Sequence, residues 1–271
     1  MTEPKAGPEN DSEPAGKNGE MLEEASLISH LVDLRNRLLR ASLAVIIIFL
    51  CLFPFSEEIF TLVAQPLMKQ LPEGATMIAT QVASPFLTPF KTTLWVAVFM
   101  AMPVVIYQVW AFVAPGLYKK EKRFAIPLVV SSILLFHCGL MFAYFVVFPL
   151  MFAFFNAVAP EGVTVMTDIN HYLDFVLVIF FAFGLAFEVP IATVMLVWSG
   201  LISLEKLGAS RAYVFLGAFV AGMLLTPPDI ISQTLLAVPI YFLYEVGLIM
   251  ARVMLPAKNG GEQSTETKSA D

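Results

Sequence analysis

Long apolar stretches alternate with short polar ones along most of the chain. Six of these stretches are predicted to be helices, over residues 38–55, 90–110, 124–150, 175–199, 212–226 and 230–250. At 1.5 Å per residue, about 20 residues of helix cross a hydrocarbon core about 30 Å thick. The pattern therefore predicts an all-α integral membrane protein with six transmembrane helices, of which the last two are short.

The two ends of the chain differ in composition from the stretches between them. Residues 1–25 are rich in Glu, Pro, Gly, Asn and Ser, which predicts a disordered acidic tail. Residues 26–254 form the predicted membrane domain, and residues 255–271 form a second tail. Ser26 is expected to cap an amphipathic helix over residues 27–39, which lies on the membrane surface and leads into the first span.

Composition narrows the class of protein further. Hydrophobic residues make up 58% of the 271 and charged residues 14%, against roughly 45–50% and about 25% in a soluble domain. The mean hydropathy is +0.77. These values exclude a soluble enzyme, a nucleic-acid-binding module and a disordered protein. The formal net charge of −6 arises mostly in residues 1–25, which hold seven acidic residues and two lysines.

Lysine and arginine lie almost entirely on one side of the predicted membrane. The N-terminal region, the 111–123 loop, the 200–211 loop and the C-terminal end together hold 14 of the 16. Loops that are rich in these residues remain in the cytoplasm. We therefore expect both termini to be cytoplasmic.

The first loop on the opposite side, residues 56–89, is too apolar for a solvated linker. Its apolar positions suggest a short helix, broken near Pro66, that lies back on the bundle; they are Leu62, Val63, Leu67 and Leu71. We expect a structured periplasmic cap on this face.

The sequence lacks the common motifs of bond-making or ATP-driven chemistry. It contains no G-x-x-x-x-G-K-[ST] phosphate loop, no G-x-S-x-G elbow and no H-E-x-x-H pair. Cys51 and Cys138 lie in separate apolar stretches, without the spacing of metal ligands. We expect neither enzymatic activity nor a cofactor or a metal.

One carboxylate lies inside a predicted span. Glu188, in FGLAFEVPIA, costs several kcal/mol near the bilayer middle unless it is hydrated, paired or protonated. Either it faces a water-filled cavity that receives a polar partner, or it hydrogen-bonds the broken helix backbone around Pro190 and only shapes the bundle.

Other charges have an ordinary and a functional interpretation. Glu121 is the single acid in a loop with four bases, and Asp33 lies on the amphipathic helix. Both are either surface charges or carboxylates that bind a cationic peptide through guanidinium pairs. Glu245 is expected to pair with Arg252 or to reach the membrane interface. Asp229, after two prolines, is expected to cap the sixth span.

Several longer motifs resemble one family of membrane proteins. HLVDLRNRLL, YQVWAFVAPGLYKKEKR, FGLAFEVPIA and GAFVAGMLLTPPD are similar to stretches of TatC, the multispanning core component of the twin-arginine protein translocase. The resemblance implies a receptor in the bacterial inner membrane for folded proteins with twin-arginine signal peptides. It further implies transport driven by the proton-motive force, in a multimeric complex with the single-span proteins TatA and TatB.

The same resemblance assigns a signal-peptide site. The paired carboxylates of that site correspond to Asp33 and Glu121, and the same surface includes Phe112, Leu117 and Arg123. The family commonly has glutamate at the position of Asp33, so the shorter side chain here keeps the charge and changes the reach.

Further positions match functional regions of the family. Glu188 corresponds to its intramembrane glutamate on the concave side of the bundle, and Pro66 corresponds to a proline in the first outer loop that is linked to function. Partner helices dock in the region that matches Met223, Leu224, Thr226 and Gln233. The implied partners include membrane lipid and no nucleic acid. A rival interpretation, from the residues alone, is an ion-coupled small-solute carrier that uses Glu188 and Glu245.

Overall fold

The structure, a computed structural model, describes residues 15–71, 76–117, 125–158, 160, 166–226 and 229–254; side chains at 15–28, 30, 113–117 and 125 are not described. The described part is helical apart from short connections and one isolated β-bridge. Its helices are α1 (Ala15–Leu52), α2 (Ser56–Met68), α3 (Ser84–Leu117), α4 (Ala125–Phe142), α5 (Phe148–Val158), α6 (Ile169–Ala186), α7 (Val189–Trp198), α8 (Leu204–Ala209), α9 (Arg211–Leu225) and α10 (Ile230–Met254).

The all-α membrane fold is confirmed. Within the described ranges, five segments are long and apolar enough to cross a membrane: Leu31–Met68, Ser84–Phe112, Ile126–Val158, Ile169–Trp198 and Ile230–Met254. The remaining apolar helix, α9, has 15 residues and is about 22 Å long. α10 extends beyond the predicted 230–250, to 25 residues and about 37 Å. The short helix of the last pair is therefore α9.

The connections alternate between the two sides of the bundle. We call the side that holds the N-terminal half of α1 and the C-terminal ends of α3, α7 and α10 the terminal face. The opposite side, with α2, residues 76–83 and the start of α6, is the cap face.

The first helix differs from its prediction. α1 runs without interruption from Ala15 to Leu52, so Ser26 lies inside it and not at the start of a helix, and no separate surface helix precedes the span within these residues. The reason is local: no proline or glycine occurs from Glu20 to Leu52, and the helix stops where Pro54 enters a 3₁₀ turn. Residues 1–14 and 255–271, parts of the predicted tails, lie outside the described residues.

An aromatic core packs α3, α4, α5 and α6 together. Phe148 lies edge-on to Phe180 with ring centroids 4.9 Å apart, and Phe99 contacts the same ring at 5.8 Å. α4 and α6 approach so closely that a Cβ on Gly139 would lie 2.5 Å from the carbonyl oxygen of Phe183. Glycine is required there because backbone cannot yield to a side chain.

A five-residue π-helical segment, Ala143–Val147, joins α4 to α5. The buried positions advance in steps of four through Ala143, Val147 and Met151. A regular α-helix has 3.6 residues per turn and would rotate these positions away from the core by about 40° at each step. The wider π turn absorbs that rotation and keeps the face inward.

The cap face is structured, as predicted. α2 lies against the bundle through buried Val63 and Leu67, and it continues past Pro66 to Met68 instead of breaking there. Residues 76–83 are tied to the start of α6 by a parallel bridge between Ile78 and Asp168.

Asp168 is the anchor of this connection. Its carboxylate accepts hydrogen bonds from the hydroxyl and the backbone N–H of Thr80 at 2.6 and 2.9 Å. It also accepts bonds from the backbone N–H groups of Asn170 and His171, and so caps α6. These bonds, the Thr80 hydroxyl first, hold the pKa of the Asp168 carboxyl well below its usual range.

We expect Gly139→Ala to destabilise the protein by about 1–3 kcal/mol, because the added methyl group meets the Phe183 carbonyl and forces α4 and α6 apart. The matched control is Gly217→Ala, where no atom lies within 4 Å of the added Cβ. Thermal unfolding in detergent measures both. Equal melting temperatures for the two variants would contradict the close packing of α4 on α6.

The depressed pKa of Asp168 predicts a pH dependence of cap stability. Stability from this carboxylate is complete above its ordinary pKa near 4 and is lost as the pH falls through the lower folded-state value. The melting temperature of the wild-type protein should therefore fall more between pH 7 and pH 3 than that of Asp168→Asn, which has no such proton to bind. Parallel decreases would show that Asp168 does not carry the effect.

Candidate functional site

α1 packs antiparallel along α3 and brings two predicted site residues to the terminal face. The register is set near the cap face, where Phe90 contacts Phe49 and Phe53 at 5.2 and 6.1 Å between ring centroids. Phe90 thus lies level with the middle of the turn from Phe49 to Phe53. Carried along both helices at 1.5 Å per residue, this register puts Asp33 roughly level with residue 108, about 6 Å along the axis from Phe112.

Asp33 forms an ion pair within its own helix. Arg37 Nε donates to Asp33 Oδ2 at 2.8 Å, one helical turn away. The Asp33 side chain is nevertheless 47% exposed, so its carboxylate remains accessible from solvent. An exposed pair of this kind contributes about 0.3–0.5 kcal/mol and does not lock the carboxylate.

The structure brings together only part of the predicted signal-peptide site. Phe112 is half-buried near the end of α3, and Leu117 is the last residue of that helix, with its side chain not described. Glu121 and Arg123 lie outside the described residues.

Glu188 lies where the fourth span breaks between α6 and α7. Pro190 has no N–H, so the Ala186 carbonyl lacks its helical donor and the helix opens at this point. Ser132 Oγ, from α4, donates to Glu188 Oε2. Glu188 Oε1 is buried and has no hydrogen-bond partner among the described residues.

The Glu188 carboxylate borders a cavity of about 180 Å³. The other residues of its wall are apolar or aromatic; they are Val109, Trp110, Ile191, Ala192 and Met195. A carboxylate in such a wall is a single polar anchor within an otherwise hydrophobic recess. It suits a polar or cationic group carried on an apolar body.

The predicted partner-docking residues divide into two kinds. Met223 and Leu224 are exposed on the outer surface of α9. The polar groups of the other two bond within the α9 and α10 pair: Thr226 Oγ1 donates to the Gly222 carbonyl at 2.9 Å. Gln233 Nε2 donates to the carbonyl of Phe219 at 2.8 Å.

The ends of α10 agree with one prediction and correct another. Asp229 accepts the backbone N–H of Ser232 at 2.7 Å and caps the helix, as expected. Glu245 pairs with Arg211 of α9 through two bonds of 2.7 and 3.0 Å, and not with Arg252. The sequence held a signal for this pair, because Arg211 and Glu245 are nearly equidistant along the chain from Pro227-Pro228, between α9 and α10.

The sequence pattern did not predict several other side-chain contacts. Ser132, which binds Glu188, is one of many small residues in apolar stretches. Tyr144 lies in the predicted third span and Tyr172 in the loop before the fourth, and nothing in the pattern predicts their hydrogen bonds to the carbonyls of α2. In the part of the chain that the structure describes, no group of His, Cys, Asp or Glu side chains is arranged to hold a metal ion.

Known proteins similar to this chain share its architecture. Residues 29–239 match the family model described as Sec-independent protein translocase protein (TatC). The protein of that name from Azotobacter chroococcum is 61% identical over 226 residues, which is 83% of this chain and 89% of the relative. The one from Escherichia coli K12 is 59% identical and covers 83% and 88%.

Two solved structures extend the similarity to three dimensions. The crystal structure of the twin-arginine translocase receptor TatC is 37% identical with a TM-score of 0.73, and the match covers 83% of this chain and 98% of that one. The same receptor in DDM gives a TM-score of 0.74 at 37% identity, over 82% and 99% of the two chains. The family is one of translocase components and not of enzymes. By sequence and by fold, the chain belongs to the TatC family of Sec-independent protein translocase proteins.

Proposed function

We propose that this chain is the core receptor of a twin-arginine translocase, which binds the signal peptides of folded proteins and organises their export by the proton-motive force. The observation that carries the proposal is the match to a twin-arginine translocase receptor along 98% of that receptor's chain. The ion-coupled carrier that uses Glu188 and Glu245 is not favoured, since Glu245 is engaged by Arg211.

The chemistry of the terminal face supports recognition of paired arginines. A guanidinium donates two parallel hydrogen bonds to one carboxylate, which lysine cannot do. Asp33 offers such a carboxylate at an accessible position, and its bond to Arg37 is weak enough to be exchanged for a peptide arginine. We propose that Glu121 binds the second arginine and that Phe112, Leu117 and Arg123 complete the surface.

We propose that the terminal face is cytoplasmic and that the cap face is periplasmic, with the chain in the bacterial inner membrane. The distribution of lysine and arginine supports this, because 14 of the 16 lie in the tails and loops of the terminal face. The signal peptide then meets the receptor on the side where proteins are made.

The outer surface of α9 is the proposed docking site for the single-span helices of TatB and TatA. Five large side chains form an exposed stripe at helical spacing: Tyr213, Leu216, Val220, Met223 and Leu224. With Thr226 and Gln233 satisfying the backbone behind it, this stripe offers van der Waals contact to a transmembrane helix. Copies of the receptor then associate in the same multimeric complex.

Glu188 and α9 together support a local thinning of the bilayer. α9 is about 22 Å long, against a hydrocarbon core of about 30 Å, so lipid beside it must thin or tilt. The Glu188 cavity brings a carboxylate to the middle of the adjacent span, where water is needed to solvate it. We propose that both features ease the passage of a folded protein.

Asp33→Asn should reduce capture of a twin-arginine signal peptide by about tenfold, the factor that corresponds to losing 1.4 kcal/mol of charge-assisted hydrogen bonding. Asp33→Glu should retain capture because the charge stays. Photo-crosslinking of the peptide to the receptor in inside-out vesicles measures both variants, and a peptide with two lysines should behave like the weaker variant.

The matched control for this experiment is Asp174→Asn, a carboxylate of 56% exposure on the cap face that pairs with Lys91. Its removal should leave capture unchanged. The assigned site is wrong if the Asp33→Asn receptor captures the twin-arginine peptide as well as the wild-type receptor does, and if the wild-type receptor captures the lysine peptide equally well. In that case the apolar segment of the peptide dominates binding.

The docking proposal predicts a specific crosslink. After Cys51 and Cys138 are replaced by alanine, a cysteine introduced by Leu224→Cys should form a disulfide with a cysteine in the TatB transmembrane helix. Leu134→Cys on α4 is the control, since Leu134 is 60% exposed and Leu224 is 77% exposed, and both face lipid in the isolated chain. Equal crosslinking at the two positions would reject α9 as the docking surface.

A further inference from the structure

Pro66 leaves one backbone carbonyl of α2 without its helical hydrogen-bond donor. In a regular helix the carbonyl of Leu62 accepts the N–H of residue 66, and proline has no N–H to donate. The Leu62 carbonyl therefore takes its hydrogen bond from a donor outside the helix. In the structure that donor is the hydroxyl of Tyr144, at 2.8 Å.

Two further side chains donate hydrogen bonds to carbonyls of α2 and of the residues just after it. We call the three hydrogen bonds the α2 clasp; they are Tyr144 to Leu62 at 2.8 Å, Tyr172 to Val63 at 2.9 Å and Asn156 to Gln70 at 2.6 Å. The donors come from the π segment, α6 and α5 in turn. The clasp thus ties the C-terminal half of α2 and the residues just after it to three other segments of the bundle.

Tyr144 is delivered to α2 by the π segment. It is the second residue of Ala143–Val147, where the widened turn changes the direction of side chains relative to a regular helix. Tyr144 and Pro66 are separated by 78 positions in sequence, yet one supplies the donor that the other takes away.

Packing by itself does not specify the position of α2. The helix buries Val63, Ala64, Pro66 and Leu67 and leaves Leu62 and Met68 exposed. Apolar contact of this kind is non-directional, so a helix on a smooth apolar surface is free to slide or rotate slightly. Hydrogen bonds to named carbonyls have defined distances and angles, and they fix both rotation and depth.

We propose that Tyr144 is a positioning residue: its hydroxyl takes over the carbonyl that Pro66 releases, and this pair sets the placement of α2 in the cap that translocation requires. The role in translocation rests on the proposed function, whereas the placement of α2 does not.

The pairing predicts an unusual response to substitution. Tyr144→Phe leaves the Leu62 carbonyl without a donor and should lower the melting temperature by about 2–4 °C. Pro66→Ala supplies a backbone N–H to that carbonyl, draws it back into the helix and should leave the melting temperature unchanged while lowering export. In the double variant the N–H replaces the lost hydroxyl, so stability should recover while export stays low.

The experiment compares wild type, both single variants and the double variant. It measures thermal unfolding, export of a folded reporter with a twin-arginine signal peptide, and the spin-label distance between Gln65→Cys and Leu150→Cys in a background without Cys51 and Cys138. We expect a narrow distance distribution in wild type and broad ones in Tyr144→Phe and the double variant. Tyr172→Phe is the control, because Tyr172 bonds the carbonyl of Val63, whose helical position has no proline four residues later, so Pro66→Ala should not rescue it.

Three results would overturn the proposal: export that recovers together with stability in the double variant, additive losses of stability, or an unchanged distance distribution in Tyr144→Phe. A wild-type protein that exports nothing while the distances respond as expected would reject the proposed function and leave the positioning role intact.

Discussion

Inside hydrocarbon every backbone N–H and C=O must find its partner within the protein, and the rest of this structure depends on that constraint. Helices satisfy it automatically except where a proline removes a donor. At Pro66 the missing donor is replaced by a tyrosine hydroxyl from another helix, and at Pro190 the chain breaks and leaves Glu188 at the opening. Pro66 therefore marks a tertiary contact of the cap helix α2, and Pro190 marks the place where a carboxylate enters a span.

Hydroxyl side chains inside the spans obey the same rule. They donate to the carbonyl four residues back in their own helix, as Thr92, Thr193, Thr226 and Thr234 do. Bonded in this way, a hydroxyl costs little in an apolar environment and leaves the helix surface apolar. Where a hydroxyl instead bonds a distant group, as Ser132 bonds Glu188, it joins two helices at a specific level.

The two faces of the bundle use polar groups differently. On the cap face the carboxylate of Asp168 accepts four hydrogen bonds, and the result is a rigid connection between residues 76–83 and α6. On the terminal face Asp33 is held by one exposed ion pair and remains open to exchange. A closed network suits a structural cap, and an accessible carboxylate suits the proposed binding and release of a cationic peptide.

The class of protein, the approximate positions of most spans, the structured cap and the family could all be predicted from the amino-acid sequence, because hydropathy and long motifs are local properties of the chain. The capping role of Asp229 was equally local. Expectations were wrong where a local signal competed with its surroundings: Ser26 lies inside an uninterrupted helix, and α2 continues through Pro66.

The contacts between distant groups could not be predicted and follow from how the helices pack. Ser132 with Glu188, Arg211 with Glu245 and Tyr144 with Leu62 each depend on the rotation and level of two helices. Hydropathy along the chain carries no information on the rotation or the level of a helix. A membrane-spanning helix is about equally apolar on the faces that contact lipid and on those that contact protein. Rotation and level follow instead from close packing at residues such as Gly139 and from hydrogen bonds such as that of Tyr144, and so they exist only once the bundle has formed.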